Sequence, residues 1–432
     1  MSIRTIAIAV VIGSFVLAIN TTKAQEHNRV TPQAVRVAPL YQFAGATAGS
    51  SPYIKLVADA AGAMYGTTAN GGLQSLGNVF QLTPPSLPGG RWKYAVLYSF
   101  GVGADGAVPE SSLTIDAAGN LYGTTYQGGT FGYGTVFMLT PPIVPGGSWT
   151  ETVLYNFQGG NDGRNPYGGV TFDNAGNLYG ATQQGGPYRC GVQRYSCGTI
   201  YQLTPGPGGV WTETVLYTFQ GRADGAFPDT GLAIDKAGAL YGTNYYSGGY
   251  NLRYGGVVFQ LAPPPQPGGA WTFATIQDFY NIGQPSFEGD LVLDAKGALY
   301  GTSWSGGTSD MGFVFQLKQS SPGVWSMKTL WNFSGADGSL PQGGVIIGKG
   351  ALYGTTYSGG DMLKCNSIGC GVLFQLTPGP GGVWTETVLY KFSGGTDGAA
   401  PQGALMRGKG GAYYGTTSAG GMTGGGTIFG MK

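Results

Sequence analysis

Short apolar runs recur along the chain after residue 24, and Gly- and Pro-rich segments separate them. One period has such runs at residues 169–172, 178–182, 199–203 and 211–217. Runs of this length that alternate or stay apolar are typical of half-buried strands joined by tight turns. We therefore predict four strands in each period and name them a, b, c and d. After residue 24, no segment long enough to form a stable helix shows a helical pattern of apolar residues.

The segment LYGTT, or a close variant, occurs seven times at intervals of 53 to 62 residues. Its glycines are Gly66, Gly123, Gly180, Gly242, Gly301, Gly354 and Gly415. A repeat of this length with four strand-like runs is typical of a propeller blade and not of a helical solenoid unit. The repeat predicts an all-β fold, a seven-bladed β-propeller of four-stranded blades.

The two ends of the repeat array predict how the propeller closes. Residues 39–43 match strand d and no other strand, whereas residues 426–429 match strand c. Pairing the N-terminal strand d with the C-terminal a-b-c strands completes the seventh blade. This arrangement removes the open edge that a linear array would leave.

The N-terminal segment predicts export. Arg4 precedes an apolar stretch over residues 5–19, and Thr22 and Ala24 are small residues at the two positions that determine cleavage. We expect a signal peptide over 1–24, a flexible leader over 25–36 and the propeller over 37–432, in a protein that is extracellular, at the cell surface or periplasmic. The alternative is an uncleaved membrane anchor. No second apolar span follows, so the mature chain is expected to lack a membrane span.

The recurring LYGTT, the Gly-Gly after it, GTVFQLTP (with Met for Gln at residues 134–141) and WTETVLYxF (residues 149–157) together resemble the GloVer tandem-repeat family of exported bacterial proteins. Its members are also called choice-of-anchor repeat proteins. The resemblance covers residues 37–429 and implies export and a propeller-like array. It implies no catalytic activity.

Composition and charge exclude several kinds of chemistry. Loss of Arg4 and Lys23 with the signal peptide leaves a net charge of −1, which gives no basic face for nucleic acid. The one histidine, His27, precedes the first strand. Histidine-based nucleophiles, general bases and metal sites are therefore excluded from the propeller, and carboxylates, Tyr, Lys and Arg remain.

The four cysteines form two close pairs in equivalent b–c loops. In an exported protein, Cys190 with Cys197 and Cys365 with Cys370 predict local disulfides that rigidify enlarged loops. A four-thiolate metal site is the alternative. It would need two loops from distant blades to meet, and an oxidising environment disfavours it.

Five d–a loops carry an Asp-Gly pair, and we interpret all seven loops as ending in proline, including Pro285. The aspartates are Asp105, Asp162, Asp224, Asp337 and Asp397. A ring of carboxylates could hold Ca²⁺, the one candidate cofactor. Repeated turn chemistry, with Asp capping its own turn, explains the pattern better.

Three b–c loops are longer than the other four and bring aromatic and basic residues to the face they share with the d–a loops. The ligand-binding candidates on this face are Tyr188, Arg189, Arg194, Tyr195, Tyr250, Arg253, Tyr254, Trp304 and Tyr357. Aromatic faces stack on sugar rings, and Arg offers paired donors to carboxylates. The alternative is that these tyrosines only cover their own backbone.

These observations favour an exported binding module that recognises an extracellular glycan or a partner protein through this loop face. One alternative is a polysaccharide lyase or glycosidase, and another is a structural cell-surface or matrix protein. Carboxylates outside the repeat pattern are Glu110, Asp229, Glu288, Asp290, Asp310 and Asp361. No motif pairs any two of them, so the sequence fixes no catalytic residue.

Overall fold

Seven four-stranded antiparallel sheets make up the computed structural model, and this confirms the predicted seven-bladed β-propeller. The structure describes residues 35–144, 146–191, 195–246, 254–266, 268–280 and 286–431, with Tyr254 described in its backbone only. Apart from short 3₁₀ turns at Ala46–Ala48, Pro207–Gly209, Pro380–Gly382 and Lys409–Gly411, these residues form no helix. None of their helical segments is long and apolar enough to cross a membrane.

The strand bounds follow the repeat closely. In the order a to d, the strands of blade 1 are Val57–Ala58, Met64–Thr68, Asn78–Thr83 and Lys93–Ser99. Those of blade 2 are Thr114–Ile115, Leu121–Thr125, Thr135–Thr140 and Thr150–Asn156. Those of blade 3 are Thr171–Phe172, Leu178–Thr182, Thr199–Pro205 and Trp211–Thr218. Blades 4 and 5 comprise Ala233–Ile234, Leu240–Tyr246, Tyr254–Ala262 and Thr272–Asp278; Val292–Leu293, Leu299–Ser303, Phe313–Ser321 and Val324–Asn332. Blades 6 and 7 comprise Ile346–Gly348, Ala351–Thr356, Val372–Pro378 and Trp384–Lys391; Met406–Arg407, Tyr413–Thr417, Thr427–Met431 and Val37–Gln42.

Minor strands accompany three blades. Gly106–Ala107 pairs with Gln127–Gly128, Arg189–Cys190 pairs with Tyr195–Ser196, and Ala226–Pro228 pairs with strand b of blade 4. All of them lie in d–a or b–c loops, so they order the loop face.

The ring closes as the two ends of the sequence predict. Strand Val37–Gln42 runs antiparallel to Thr427–Met431, with Val37 opposite Met431 and Gln42 opposite Thr427. A second contact closes the ring near the channel, where Thr416 Oγ1 donates a hydrogen bond to the carbonyl of Ile54 at 3.0 Å. Both contacts join residues more than 360 positions apart, so the seventh blade depends on both ends of the chain.

The glycine of LYGTT is required by close packing and not by backbone conformation. A Cβ atom on Gly66 would lie 2.7 Å from the Phe80 ring of strand c, and one on Gly123 would lie 2.7 Å from Phe137. The other five glycines meet the strand-c ring in the same way. Any side chain here would push strand b away from the aromatic core of its blade.

Two repeated contacts join neighbouring blades. The first Thr of LYGTT donates to a carbonyl at the start of the next inner segment, as Thr124 does to Gly168 at 3.0 Å. The strand-d Trp lies edge-on against the strand-b Tyr of the preceding blade, as Trp149 does against Tyr65 at 6.0 Å. Edge-to-face pairs of this kind stabilise buried aromatic clusters beyond their area alone.

Candidate functional site

The five aspartates of the Asp-Gly loops satisfy their own turns. Asp162 accepts hydrogen bonds from the Tyr155 hydroxyl at 3.2 Å and from the backbone of Gln158 at 2.7 Å and Gly160 at 3.2 Å. In each of the other four aspartates, both carboxylate oxygens likewise accept hydrogen bonds from the same d–a loop or the strand d before it. Within the described ranges, no three His, Cys, Asp or Glu residues are grouped to hold a metal ion.

Both predicted disulfides are present. Cys190 is bonded to Cys197 and Cys365 to Cys370, each with a Cα–Cα distance of 5.3 Å. Each disulfide covers the glycine of the next d–a turn, Gly221 in one case and Gly394 in the other. The bonds therefore fix two enlarged b–c loops against the neighbouring turns.

Three of the predicted loop residues, Tyr188, Arg189 and Tyr195, lie in the enlarged b–c loop of blade 3. Tyr188 and Tyr195 are each 44% exposed, on either side of the disulfide hairpin that also carries Arg189. Arg194, Tyr250 and Arg253 lie outside the described residues, and Tyr254 begins strand c of blade 4.

Trp304 and Tyr357 lie at the starts of their b–c loops, directly after strand b. The Trp304 amide donates to the carbonyl of Ser286 at 3.0 Å, and the Tyr357 amide donates to Leu340 at 3.0 Å. The indole Nε1 of Trp304 is buried and has no hydrogen-bond partner among the described residues. Neither side chain lines the central cavity, and Tyr188, Arg189 and Tyr195 do not line it either.

Seven side chains, one from each blade, surround the entrance to the central channel. These seven residues, the mouth ring, are Tyr53, Glu110, Tyr167, Asp229, Glu288, Gln342 and Gln402. All are partly buried, and together they line an open cavity of about 380 Å³. Every member has a phenol, carboxyl or amide group, so the cavity presents hydrogen-bonding groups on all sides.

The position in blade 5 corrects the sequence interpretation of the loop prolines. In six blades the loop proline lies against the glycine before strand c of the preceding blade, as Pro228 does against Gly198. In blade 5 Phe287 makes this contact, against Gly256, and Pro285 lies outside the described residues. An apolar ring fills the same space as proline here. Glu288 is consequently the residue that reaches the channel mouth.

Asp229 is held by a hydrogen-bond relay that crosses three blades. The Tyr126 hydroxyl donates to Gln183 Oε1 at 2.9 Å, and Gln183 Nε2 donates to Asp229 Oδ1 at 2.9 Å. Burial raises the pKa of Asp229 to about 7, the Gln183 hydrogen bond opposes this rise, and the charge of Glu288 adds to it. Burial also raises the pKa of Glu110 and of Glu288.

The remaining members of the ring add aromatic and amide groups. Tyr126 lies edge-on to Tyr167, with ring centroids 6.0 Å apart. Burial raises the pKa of the Tyr167 phenol, and nearby carboxylates, first Glu110, raise it further. Gln402 Nε2 donates to Gln342 Oε1 at 2.9 Å, which leaves Gln402 Oε1 buried without a partner among the described residues.

Below the mouth ring the cavity is lined mostly by small residues. Gly169, Gly231 and Gly344 face this level, together with Lys55 and Asp290. Asp290 Oδ1 accepts the amide hydrogen of Gly231 at 2.8 Å. Lys55 is the one cationic residue in the described cavity lining, whereas four carboxyl groups line it.

In the sequence, Glu110, Asp229, Glu288 and Asp290 stand out singly, as carboxylates outside the repeat pattern, but the mouth ring was not predicted as a set. The available signal was the residue after each loop proline. In six blades that residue is Tyr, Glu, Tyr, Asp, Gln and Gln. A polar residue that varies in type beside an unchanging proline marks a position that the scaffold does not dictate.

The repeat pattern is also found by comparison with known families. The model of the Gloeobacter/Verrucomicrobia repeat matches residues 27–254, 143–368 and 325–432, which together span the propeller. The chain belongs to this family. No curated protein matches the sequence.

Solved structures share the fold at low sequence identity. An ancestral GH74 enzyme aligns with a TM-score of 0.56 and 12% identity over 92% of this chain and 51% of that one. This family member therefore spans about half of the length of that enzyme. A putative 6-phosphogluconolactonase from Bacteroides uniformis aligns with a TM-score of 0.50 and 14% identity over 82% of this chain and 88% of that one. At such identities the likeness concerns the fold alone.

Proposed function

We propose that the protein is an exported binding module that recognises a neutral glycan at the channel mouth. The observation that carries the proposal is the mouth ring, in which all seven blades place a phenol, carboxyl or amide group around one cavity. Carboxylates and amides hydrogen-bond sugar hydroxyls, and Tyr53 and Tyr167 offer aromatic surface for a sugar ring. The two disulfides support export, because such bonds persist in oxidising compartments.

The charge of the cavity favours neutral sugars over acidic ones. Four carboxyl groups line it and, in the described part of the chain, Lys55 alone opposes them, so a uronate or sulfated glycan would be repelled. A polysaccharide lyase must neutralise the carboxylate of a uronate before it removes the adjacent proton. The same balance of charge therefore disfavours the lyase alternative.

A glycan array tests the proposal, with the full chain purified and its disulfides intact. We expect binding to one class of neutral glycan. Calorimetry with that glycan should show that Glu110→Ala weakens affinity by at least about tenfold, because the loss of hydrogen bonds to a carboxylate is worth about 1.5–3 kcal/mol. Glu213→Gln is the matched control, since Glu213 is a partly buried carboxyl group on strand d, away from the cavity.

Two results would overturn the proposal. A blank array would favour the protein-partner or structural alternatives, whereas a glycan whose affinity is unchanged by Glu110→Ala would place the binding site away from the channel mouth. Preference for polyuronates would contradict the charge argument in particular.

A further inference from the structure

We infer that the channel mouth hydrolyses a glycosidic bond of the glycan, with Asp229 as general acid and Glu288 as general base. The inference rests on the proposed binding function and adds a reaction to it. It is carried by the different surroundings of two carboxyl groups that neighbouring blades place in one cavity.

The relay to Asp229 determines which of its oxygens can hold a proton. Gln183 Nε2 donates to Oδ1, so Oδ1 acts as an acceptor and the proton of the neutral acid is on Oδ2. Oδ2 has no hydrogen-bond partner in the described part of the chain, and Asp229 lines the cavity. Tyr126, Gln183 and Asp229 belong to three successive blades, and this rigid support keeps the acid oriented.

Glu288 has a different environment. It lines the same cavity from the next blade, and no described residue donates a hydrogen bond to its side chain. Its carboxylate is therefore available to a water molecule. In the mouth ring, Tyr167 lies between Glu110 and Asp229. We therefore assign Glu110 the role of hydrogen-bonding sugar hydroxyls.

The reaction needs only the glycan and water. Asp229 gives its proton to the glycosidic oxygen as the bond from that oxygen to the anomeric carbon breaks. The oxygen of water bonds to the anomeric carbon, and Glu288 takes the proton that this water loses. Both sugar products then carry hydroxyl groups, Asp229 is ionised and Glu288 is protonated. Proton exchange with solvent restores the starting state.

The raised pKa of Asp229 supports this assignment of roles. Burial raises it to about 7, so a large fraction of the acid is protonated near neutral pH. Activity should therefore fall as pH rises through about 7, when Asp229 loses the proton that it must donate.

The test uses the full chain and fluorescently labelled gluco-, xylo-, manno-, galacto- and chito-oligosaccharides as probes. We expect new reducing ends from the oligosaccharide that binds. Asp229→Asn should lower the rate by at least about 100-fold, since it removes the acid but retains an acceptor for Gln183. The rates are compared at saturating oligosaccharide, so that a change in affinity does not enter them, and Glu213→Gln should hydrolyse at the wild-type rate.

The outcomes separate this inference from the proposed function. Binding without hydrolysis overturns the inference and leaves the binding function standing, whereas absence of binding overturns both. Hydrolysis by Asp229→Asn at the wild-type rate overturns the assignment of the acid. If thermal unfolding shows that this variant is not folded, Glu288→Gln provides the same test, with an equal loss of rate expected.

Discussion

Two sets of carboxyl groups in this propeller have a raised pKa, and they differ in what surrounds them. The first set is Glu110, Asp229 and Glu288 at the channel mouth. The second set, the joint carboxyls, is Glu151, Glu213 and Glu386 on strand d of blades 2, 3 and 6. Burial raises the pKa of each joint carboxyl to about 7, and the Asp of a neighbouring d–a loop adds to the rise.

The joint carboxyls belong to the scaffold. They come from the repeated WTETVLY segment, and the Oε1 atom of each is buried with no hydrogen-bond partner among the residues that the structure describes. Blades 1, 4 and 5 have Tyr94, Phe273 and Met327 in the same register. Tyr94 stacks on Tyr41 of the preceding blade at 4.0 Å, and Phe273 stacks on Tyr217 at 4.3 Å.

A raised pKa is therefore not a mark of function in this protein. At the joints it follows from placing a carboxyl group where other blades place an aromatic or apolar side chain, and this destabilises the fold when the group ionises. At the mouth the carboxyl groups face an open cavity, and Asp229 has its own hydrogen-bond relay. Geometry separates the two sets, and the pKa values alone do not.

The largest effect on stability should come from replacing all three joint carboxyls with Gln. In the folded protein their pKa of about 7 lies above the ordinary value. The free energy of unfolding is therefore highest below about pH 4.5, where these groups are protonated, and it falls as pH rises through about 7 and they ionise. After a discount for partial exposure, we expect the triple variant to gain about 1 kcal/mol per site at pH 8.

Thermal unfolding at pH 5 and pH 8 measures this gain. At pH 5 the wild-type carboxyls are largely protonated, so the variant should gain much less than at pH 8. An equal gain at both pH values would contradict the ionisation argument. Glycan binding should be unchanged, because the joints do not line the cavity.

A smaller effect should follow from removing the relay to Asp229 with Gln183→Leu. The lost hydrogen bond stabilises the ionised form of Asp229, so its loss raises the pKa of this carboxyl group. The alkaline limb of the pH–rate profile should therefore move to higher pH, and kcat should fall by about tenfold, which corresponds to one hydrogen bond.

The pH profile distinguishes a positioning role from a general loss of structure. If kcat fell with an unmoved alkaline limb, Gln183 would not act through Asp229. Gln202→Leu is the matched control, because Gln202 also donates to a neighbouring side chain, the hydroxyl of Tyr179, but lies outside the cavity lining. It should leave the profile unchanged.

The fold was largely predictable because the repeat encodes it locally. The period of LYGTT predicts the blades, the matching ends predict closure, and the close cysteine pairs predict the disulfides. The mouth ring was not predictable in the same way. Strand a is only two or three residues long in every blade, too short for alternation to show which side chains face the channel.

Two further features depend on three-dimensional packing. Phe287 replaces the loop proline because its ring fills the same space against Gly256. The sequence does not show this equivalence, because Pro285 lies two residues earlier and looks like the loop proline of this blade. The relay from Tyr126 to Asp229 joins residues from three blades, so it depends on the angle between blades and on side-chain rotamers. Neither is encoded in the pattern of a single period.

The smallest effect should come from the exposed loop aromatics, which the loop lengths had predicted to lie in the binding site. Tyr195 lies edge-on to Phe227 with ring centroids 6.5 Å apart and is 44% exposed, outside the cavity lining. Tyr195→Ala removes exposed surface from a hairpin that its disulfide keeps in place. We expect the glycan affinity to stay within about twofold of wild type, as for a surface substitution away from the ligand. Calorimetry beside Glu110→Ala measures both positions on one scale. A loss of tenfold or more for Tyr195→Ala, with Glu110→Ala unchanged, would move the binding site from the channel mouth to the long loops.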